Sequence, residues 1–248
     1  MMIQKIIILF IAYFSFNNGC AQITEGKVVY HVTLNKKQSI KKLKKDTLMS
    51  ENLKAARMEK INSSWPLKFF LLFNENEAIY KPEYDLNRVR DFQKGPNETG
   101  IVSGNDFVYY TNLKMNEEFK QYFFDAPYMV IRTDSINWRM ENESKLIGPY
   151  LCHKATATLL EELPNHDIYS NKIVAWFTDQ IPVTYGIRNL NGLPGLMIEL
   201  DIEVPDGDLS YVIFDMDLNP KGKVIIKKPK GKSISHHEWM NFIRNTSR

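Results

Sequence analysis

The chain has 248 residues, of which 44% are hydrophobic and 25% are charged, with a net charge of +3. This length and apolar content provide the core of one domain of the size of a β-sandwich or β-barrel. The near balance of charges does not predict nucleic-acid binding, so we expect no nucleic-acid partner.

The first residues have the pattern of an export signal. Lys5 precedes an apolar run over residues 6–14, which is too short to cross a bilayer but is typical of a signal peptide. Cleavage after Ala21 makes residues 1–21 the signal and residues 22–248 the mature domain. The alternative processing is acylation at Cys20, which would anchor the protein through lipid. We therefore expect an exported protein, periplasmic or extracellular, without a transmembrane span.

The first half of the chain predicts strands around one helix. Residues 26–34 alternate apolar and polar side chains and predict a strand. The lysine-rich residues 36–45 predict a solvated loop or helix start, or alternatively a contact with an anionic surface. A helix is expected near 46–61, followed by a hairpin of strands 67–73 and 77–84. Residues 85–106, rich in glycine and polar side chains, predict a long loop.

The second half predicts a series of short strands and a final helix. Ser235 and Glu238 have the spacing of a capping box, which predicts a C-terminal helix near 235–245. The fold class that follows is β-rich α+β: a curved antiparallel sheet or half-open barrel of consecutive hairpins. The expected strands are 107–112, 118–124, 128–132, 137–141, 150–159, 172–178, 183–188, 196–202, 210–214 and 222–226.

A set of small, aromatic and proline residues between 147 and 200 forms four motif blocks in order. They read IGPYLCHKA, AWFTDQIP, VTYGI and GLPGLMIEL. With these blocks the chain resembles the GLPGLI family of secreted Bacteroidetes proteins, although Pro149, Ile187 and Met197 depart from its pattern. The resemblance implies export and a β-rich domain, and it implies no activity, because none is generally assigned to the family. At the level of fold alone it is also similar to the half-open β-barrels that carry lipoproteins.

The motif residues have a structural and a functional interpretation. Pro194 and Gly195 predict a type II turn that leads into the strand from Leu196. The alternative is that Trp176, Leu193 and Leu196 line the mouth of a ligand pocket. The candidate binding residues are Tyr150, Cys152, Lys154, Trp176, Pro182, Gly192, Leu193, Pro194, Gly195 and Leu196.

No catalytic, metal or cofactor site is expected. Cys152 and His153 are neighbours in a predicted strand, so their side chains should point to opposite faces. The pair His236-His237 lacks the helical spacing of metal ligands. Glu199, Asp201 and Glu203 alternate with apolar residues and predict the solvated face of a strand.

These patterns favour a non-enzymatic exported protein that holds an apolar ligand, a lipid or a peptide on the concave face of its sheet. One alternative is a thiol-dependent hydrolase or other enzyme that uses Cys152, for which the thiol should be accessible with a lowered pKa. A second is an envelope structural protein whose lysine-rich segments 36–45 and 221–232 contact anionic surfaces. The sequence predicts no oligomeric state.

Overall fold

The computed structural model describes residues 23–83, 97–131, 136–163, 166–205 and 207–246, which form one 12-stranded sheet with four helices. The predicted signal peptide and residues 85–96 of the predicted loop 85–106 lie outside these residues, whereas residues 98–103 form a short helix, so the loop prediction is wrong there. The strands are β1 (Gly26–Leu34), β2 (Leu67–Phe73), β3 (Glu77–Pro82), β4 (Val108–Asn112), β5 (Glu117–Phe123), β6 (Pro127–Ile131), β7 (Arg139–Ile147), β8 (Tyr150–Glu162), β9 (Ile168–Thr178), β10 (Leu196–Val204), β11 (Gly207–Leu218) and β12 (Lys232–Ser235). The helices are α1 (Lys36–Lys45), α2 (Glu51–Ser63), α3 (Glu98–Ser103) and α4 (His236–Thr246).

Two antiparallel meanders make up the sheet. The strands β1 to β6 pair in succession, the strands β7 to β11 do the same, and β11 pairs with β1 to join the two halves. The last strand, β12, lies parallel to β6 at one end. The predicted fold class, a β-rich antiparallel sheet of consecutive hairpins, is confirmed.

The sheet curls so that its two ends approach each other. Helix α4 packs against β6 through Trp239 and Tyr128, whose ring centroids are 5.4 Å apart. The same helix carries Arg244, which pairs at 2.5 Å with Glu162 of β8, near the opposite end of the strand order. The end strands β12 and β7 are not paired with each other in the described residues, so the sheet is open. A twisted sheet of this many strands must curl or flatten, and this one curls.

Alternate side chains of β1 form one part of the core. Val28, Tyr30 and Val32 are fully buried, as the period of two in the sequence predicts. Each such side chain contributes about 1.5–3 kcal/mol through removal of its apolar surface from water. The hydroxyl group of Tyr30 donates to the carbonyl oxygen of Met197 at 2.9 Å, so this buried polar atom is satisfied.

Residues 181–195, here called the inner segment, cover much of the inside of the sheet. The prediction of a strand at 183–188 is wrong: the segment is irregular apart from a short 3-10 helix at Ile187–Asn189. Its alternation arises because one side of an extended chain is buried against the sheet, with Val183, Tyr185 and Ile187 at most 5% exposed. A pattern of period two therefore marked burial correctly but not strand pairing.

The predicted helix 46–61 begins later than expected: the helix is α2, Glu51–Ser63, and residues 46–50 link it to α1. Helix α1 occupies the lysine-rich residues and ends at Asp46. The Asp46 carboxylate then accepts hydrogen bonds from the backbone N–H groups of Leu48 and Met49, at 2.8 and 3.1 Å. Asp46 thus forms the turn between α1 and α2, a use of aspartate that competes with its use as an N-cap.

The C-terminal region differs from the prediction in one strand. The prediction of a strand at 222–226 is wrong, because residues 219–231 have no regular structure and the strand β12 follows them. The capping box is confirmed: Glu238 accepts from the backbone N–H of Ser235 at 2.9 Å, and Ser235 Oγ accepts from the backbone N–H of Glu238 at 3.2 Å. Within the residues that the structure covers, no helix combines the length and apolarity needed to cross a bilayer.

Candidate functional site

A cavity of about 160 Å³ lies between the two ends of the curled sheet. Its exposed lining residues Ile131 and Leu160, which are 41% and 65% accessible, mark the mouth, and the buried Leu190 and Ile202 mark the floor. The residues that line it come from both meanders, the inner segment and α4: Tyr109, Lys120, Tyr122, Val130, Ile131, Leu159, Leu160, Glu161, Glu162, Asn171, Arg188, Asn189, Leu190, Ile202, Val204 and His236.

The inner segment brings Arg188 into this cavity. Arg188 Nε donates to the hydroxyl group of Tyr109 at 3.2 Å, and its Nη1 donates to the hydroxyl group of Tyr211 at 3.4 Å. Arg188 and Asn189 both have φ of 57°, in the left-handed region that non-glycine residues seldom adopt. Such strain is about 1–2 kcal/mol per residue and is found preferentially at functional sites.

Buried amide groups hold the strained turn against β4 and β5. The Asn189 side-chain amide donates to the carbonyl oxygens of Tyr110 and Phe119, each at 3.2 Å. The side chain of Asn191 donates to Glu118 at 2.7 Å and accepts from the backbone N–H of Gly186 at 2.8 Å. These bonds fix the position of Arg188 between them.

Lys120 enters the cavity from β5. Its ammonium group lies over the rings of Phe107 and Tyr122, at 3.7 and 4.4 Å from the ring centroids, and 5.6 Å from that of Tyr109. Such cation–π contacts hold a cation in a partly apolar site without neutralising its charge. Two positive groups, Lys120 and Arg188, therefore share the cavity wall with phenol groups.

The pKa values of these phenol groups depend on the charges of the two cations. Burial alone raises the pKa of Tyr109, but the charges of Arg188 and Lys120 and the hydrogen bond from Arg188 more than offset it and hold the pKa below its ordinary value. The neighbouring Tyr211 keeps a raised pKa, because burial outweighs the effect of Arg188 there. The two cations therefore affect the pKa of Tyr109 more than that of Tyr211.

The candidate binding residues from the sequence lie elsewhere, and none of the ten lines the cavity. Leu193 and Leu196 are core residues, at 1% and 0% exposure, whereas Pro182 and Pro194 are exposed. Tyr150 is partly buried, with its hydroxyl group 3.8 Å from Met216 Sδ. Their proposed role in ligand binding stays a prediction.

The two glycines of the GLPGL motif have distinct roles. The prediction of a type II turn at Pro194-Gly195 is wrong, since the positive φ, 98°, belongs to Gly192 and Gly195 has none. Gly195 is required for close approach instead: a Cβ there would lie 1.9 Å from the carbonyl oxygen of Thr178. Next to Gly195, the backbone N–H of Leu196 donates a hydrogen bond to the carbonyl oxygen of Ile181, which joins the same two stretches of chain.

Trp176 and Lys154 meet in a second cluster of cations and an aromatic ring, here called the outer cluster. Lys145 and Lys154 lie 4.3 and 5.9 Å from the centroid of Trp176. Both lysines have carboxylate partners, Glu199 at 2.5 Å from Lys145 and Glu143 at 2.7 Å from Lys154. The positive charges of this cluster are thus neutralised within the protein.

Cys152 is fully buried. Burial, followed by the negative charge of Glu199, raises the pKa of its thiol. Its Sγ lies 3.7 Å from the carbonyl oxygen of Tyr150. The alternative of a thiol-dependent enzyme requires an accessible thiol with a lowered pKa, and the structure shows neither property.

Three lysines of the two lysine-rich segments have partners within the protein. In α1, Lys42 pairs with Asp208 at 2.5 Å and Lys36 donates to the carbonyl oxygen of Asn62; near β12, Lys228 pairs with Glu117. Asp201 is exposed on β10 between buried apolar neighbours, as its alternation predicts. In the described ranges no three His, Cys, Asp or Glu side chains are grouped to hold a metal ion.

Sequence reasoning missed the cavity residues, above all Arg188 and Lys120. Lys120 lies in a strand with other charged residues and has no distinguishing pattern. Arg188 had one usable signal: it is the only cation in the apolar stretch from Ile181 to Leu200. A charged side chain in an otherwise buried segment usually has a partner or a function.

Comparison with known proteins gives a family match over a short stretch and a distant structural likeness. Residues 164–199 match the family described as "Protein of unknown function (Porph_ging)". No curated protein matches the sequence. Two solved structures of PNGF-II, in space groups P21 and C2, are similar over 89% of this chain, with 12% and 14% identity and a TM-score of 0.45 in each case. The chain spans about a third of the length of those structures, 33% and 32%, and this likeness supports no functional argument.

Proposed function

We propose that this chain is an exported, non-enzymatic binding protein of the GLPGLI type from the Bacteroidetes, and that its ligand inserts an apolar group into the cavity between β5–β6 and β8–β9. Export, to the periplasm or the cell exterior, rests on the pattern of residues 1–21. The amino-terminal residue of the mature protein, Gln22 or an acylated Cys20, distinguishes secretion from lipid anchoring.

The observation that carries the binding function is the cavity itself. The inner segment covers much of the inside of the sheet, yet about 160 Å³ stays open at its edge. A cavity of roughly 150 Å³ with apolar walls is known to bind a benzene-sized molecule. The walls here include Val130, Leu159, Leu190, Ile202 and Val204. The occupant is therefore a small apolar group or the end of a longer apolar chain.

The test is a titration with two six-carbon probes, hexan-1-ol and hexanoate, followed by the methyl NMR signals of Leu190, Ile202 and Val204. Saturable shifts with either probe are expected. Val204→Phe, which adds volume at a buried position of the cavity wall, should remove them. Val212→Phe is the matched control, because Val212 is 39% exposed and does not line the cavity.

The proposal fails if neither probe produces saturable shifts in the folded protein. It fails equally if Val204→Phe and Val212→Phe bind the probes as the parent protein does, because binding would then lie outside the cavity.

A further inference from the structure

The cavity contains more positive charge than its own carboxylates neutralise. Its charged lining residues are Lys120, Arg188, Glu161 and Glu162, and Glu162 pairs with Arg244 at 2.5 Å. In the part of the chain that the structure describes, no carboxylate lies within 4.0 Å of Lys120 or Arg188. Glu161 acts on Arg188 only from a longer distance, and its Oε2 accepts from Asn171 Nδ2 at 3.0 Å.

The donors of the two cations point to phenol groups and rings. Arg188 is bound to the hydroxyl groups of Tyr109 and Tyr211, and Lys120 lies among aromatic rings. Phenols and rings orient a cation but leave its charge available. Both side chains are partly exposed, so a molecule in the cavity can reach them. A positive charge that is partly removed from water and has no carboxylate partner is stabilised when an anion binds beside it.

A polar atom without a partner lies in a residue of the same cavity wall. Asn171 is 1% exposed and lines the cavity, and its Oδ1 has no hydrogen-bond partner among the described residues. A pure hydrocarbon would leave this atom unsatisfied, whereas a polar head group with bound water satisfies it.

We propose that the ligand is an amphipathic anion, whose oxyanion head group binds between the guanidinium group of Arg188 and the ammonium group of Lys120. This inference rests on the proposed function, because it assigns the head group of the ligand whose apolar part fills the same cavity. The apolar part then lies along Leu190, Ile202 and Val204. Charge-assisted hydrogen bonds to an oxyanion are about twice as strong as neutral ones, so the head group selects the ligand.

The test compares hexanoate with hexan-1-ol by calorimetry, because the two probes share a chain and differ in charge. We expect hexanoate to bind about tenfold more tightly or better, the ratio that one charge-assisted hydrogen bond provides. Arg188→Met and Lys120→Met should each reduce hexanoate affinity to near that of hexan-1-ol while leaving the alcohol unaffected. Lys145→Met, which removes a cation from the outer cluster, is the matched control and should preserve the preference.

The outcomes separate the two proposals. Equal affinity for the two probes overturns this inference and leaves the binding function standing, whereas no binding of either overturns both. A preference for hexanoate that survives in Lys120→Met also overturns it, and because Lys120 lies on β5, that variant decides the question even where Arg188→Met fails to fold. Hexyl phosphate as a third probe identifies the head group: tighter binding than hexanoate assigns a phosphate, weaker binding a carboxylate, and both results support an oxyanion site.

Discussion

The outer cluster and the cavity wall are built from the same components, cations over aromatic rings, but they differ in their counter-ions. In the outer cluster, Lys145 has a carboxylate partner in Glu199, and Trp176 lies between two such pairs. On the cavity wall, Lys120 and Arg188 meet only rings and phenol groups at short range in the described residues. The outer cluster therefore has no unpaired cation, whereas the cavity wall keeps the two cations that we propose bind the ligand.

The two clusters differ in their counter-ions because their residues lie in different kinds of structure. The outer cluster lies on regular strands: Glu199 and Lys154 lie opposite Trp176 on its two neighbouring strands, and Lys154 pairs with Glu143 of the next strand, β7. Arg188 lies in the inner segment, in a strained turn outside the strand pairing of the sheet. The availability of Arg188 therefore depends on the inner segment being held firmly in place.

The largest expected effect comes from releasing the inner segment. Gly195→Ala places a Cβ 1.9 Å from the carbonyl oxygen of Thr178, and backbone must move to accommodate it. We expect the free energy of unfolding in urea to fall by about 3 kcal/mol, at the upper end of the range for overpacking. Ligand binding should weaken in parallel, since Arg188 moves with the segment.

Gly222→Ala is the matched control for this substitution. A Cβ added at Gly222 would meet no atom within 4 Å, so the change should stay within about 1 kcal/mol. Equal stability of the two variants would show that Gly195 does not anchor the segment, and the comparison between the clusters would lose its structural basis.

A smaller effect is expected in the alkaline titration of the tyrosines. Because Arg188 and Lys120 lower the pKa of Tyr109 despite its burial, Tyr109→Phe should remove an early-ionising group from the tyrosinate absorbance. Tyr30→Phe should remove a late one, since burial raises the pKa of Tyr30. Arg188→Met should delay the ionisation of Tyr109, whereas Lys145→Met should not change it.

The signs of the stability effects follow from the same shifts. Tyr109, with a lowered pKa in the folded state, contributes stability that is present above the unfolded value of about 10 and lost as the pH falls. Tyr110, whose pKa is raised to about 12 by burial and by its bond to Glu77, contributes stability that is lost as the pH rises from about 10 through 12. If Tyr109 ionises after the exposed tyrosines, the positive potential assigned to the cavity wall is contradicted.

The sequence predicted most of the strands but none of the residues that line the cavity. Alternation identified β1 and β10 because each has one buried face, and the capping box located α4 because its two residues act locally. The cavity joins Lys120 to Arg188 through the curl of the sheet and the path of the inner segment, which are long-range properties. The motif residues carried a recognisable pattern because turns and close backbone approach, as at Gly195, restrict residue type.

The smallest expected effect tests the neutralised cluster. Lys145 and Glu199 are 40% and 27% exposed, so solvent screens their attraction. A double-mutant cycle with Lys145→Met and Glu199→Gln should give a coupling of about 0.5 kcal/mol in the free energy of unfolding, and the coupling should decrease with added salt. Hexanoate affinity should be the same in all four proteins of the cycle. A change in that affinity would mean that the outer cluster also contacts the ligand, and its carboxylates would then not distinguish scaffold from binding site.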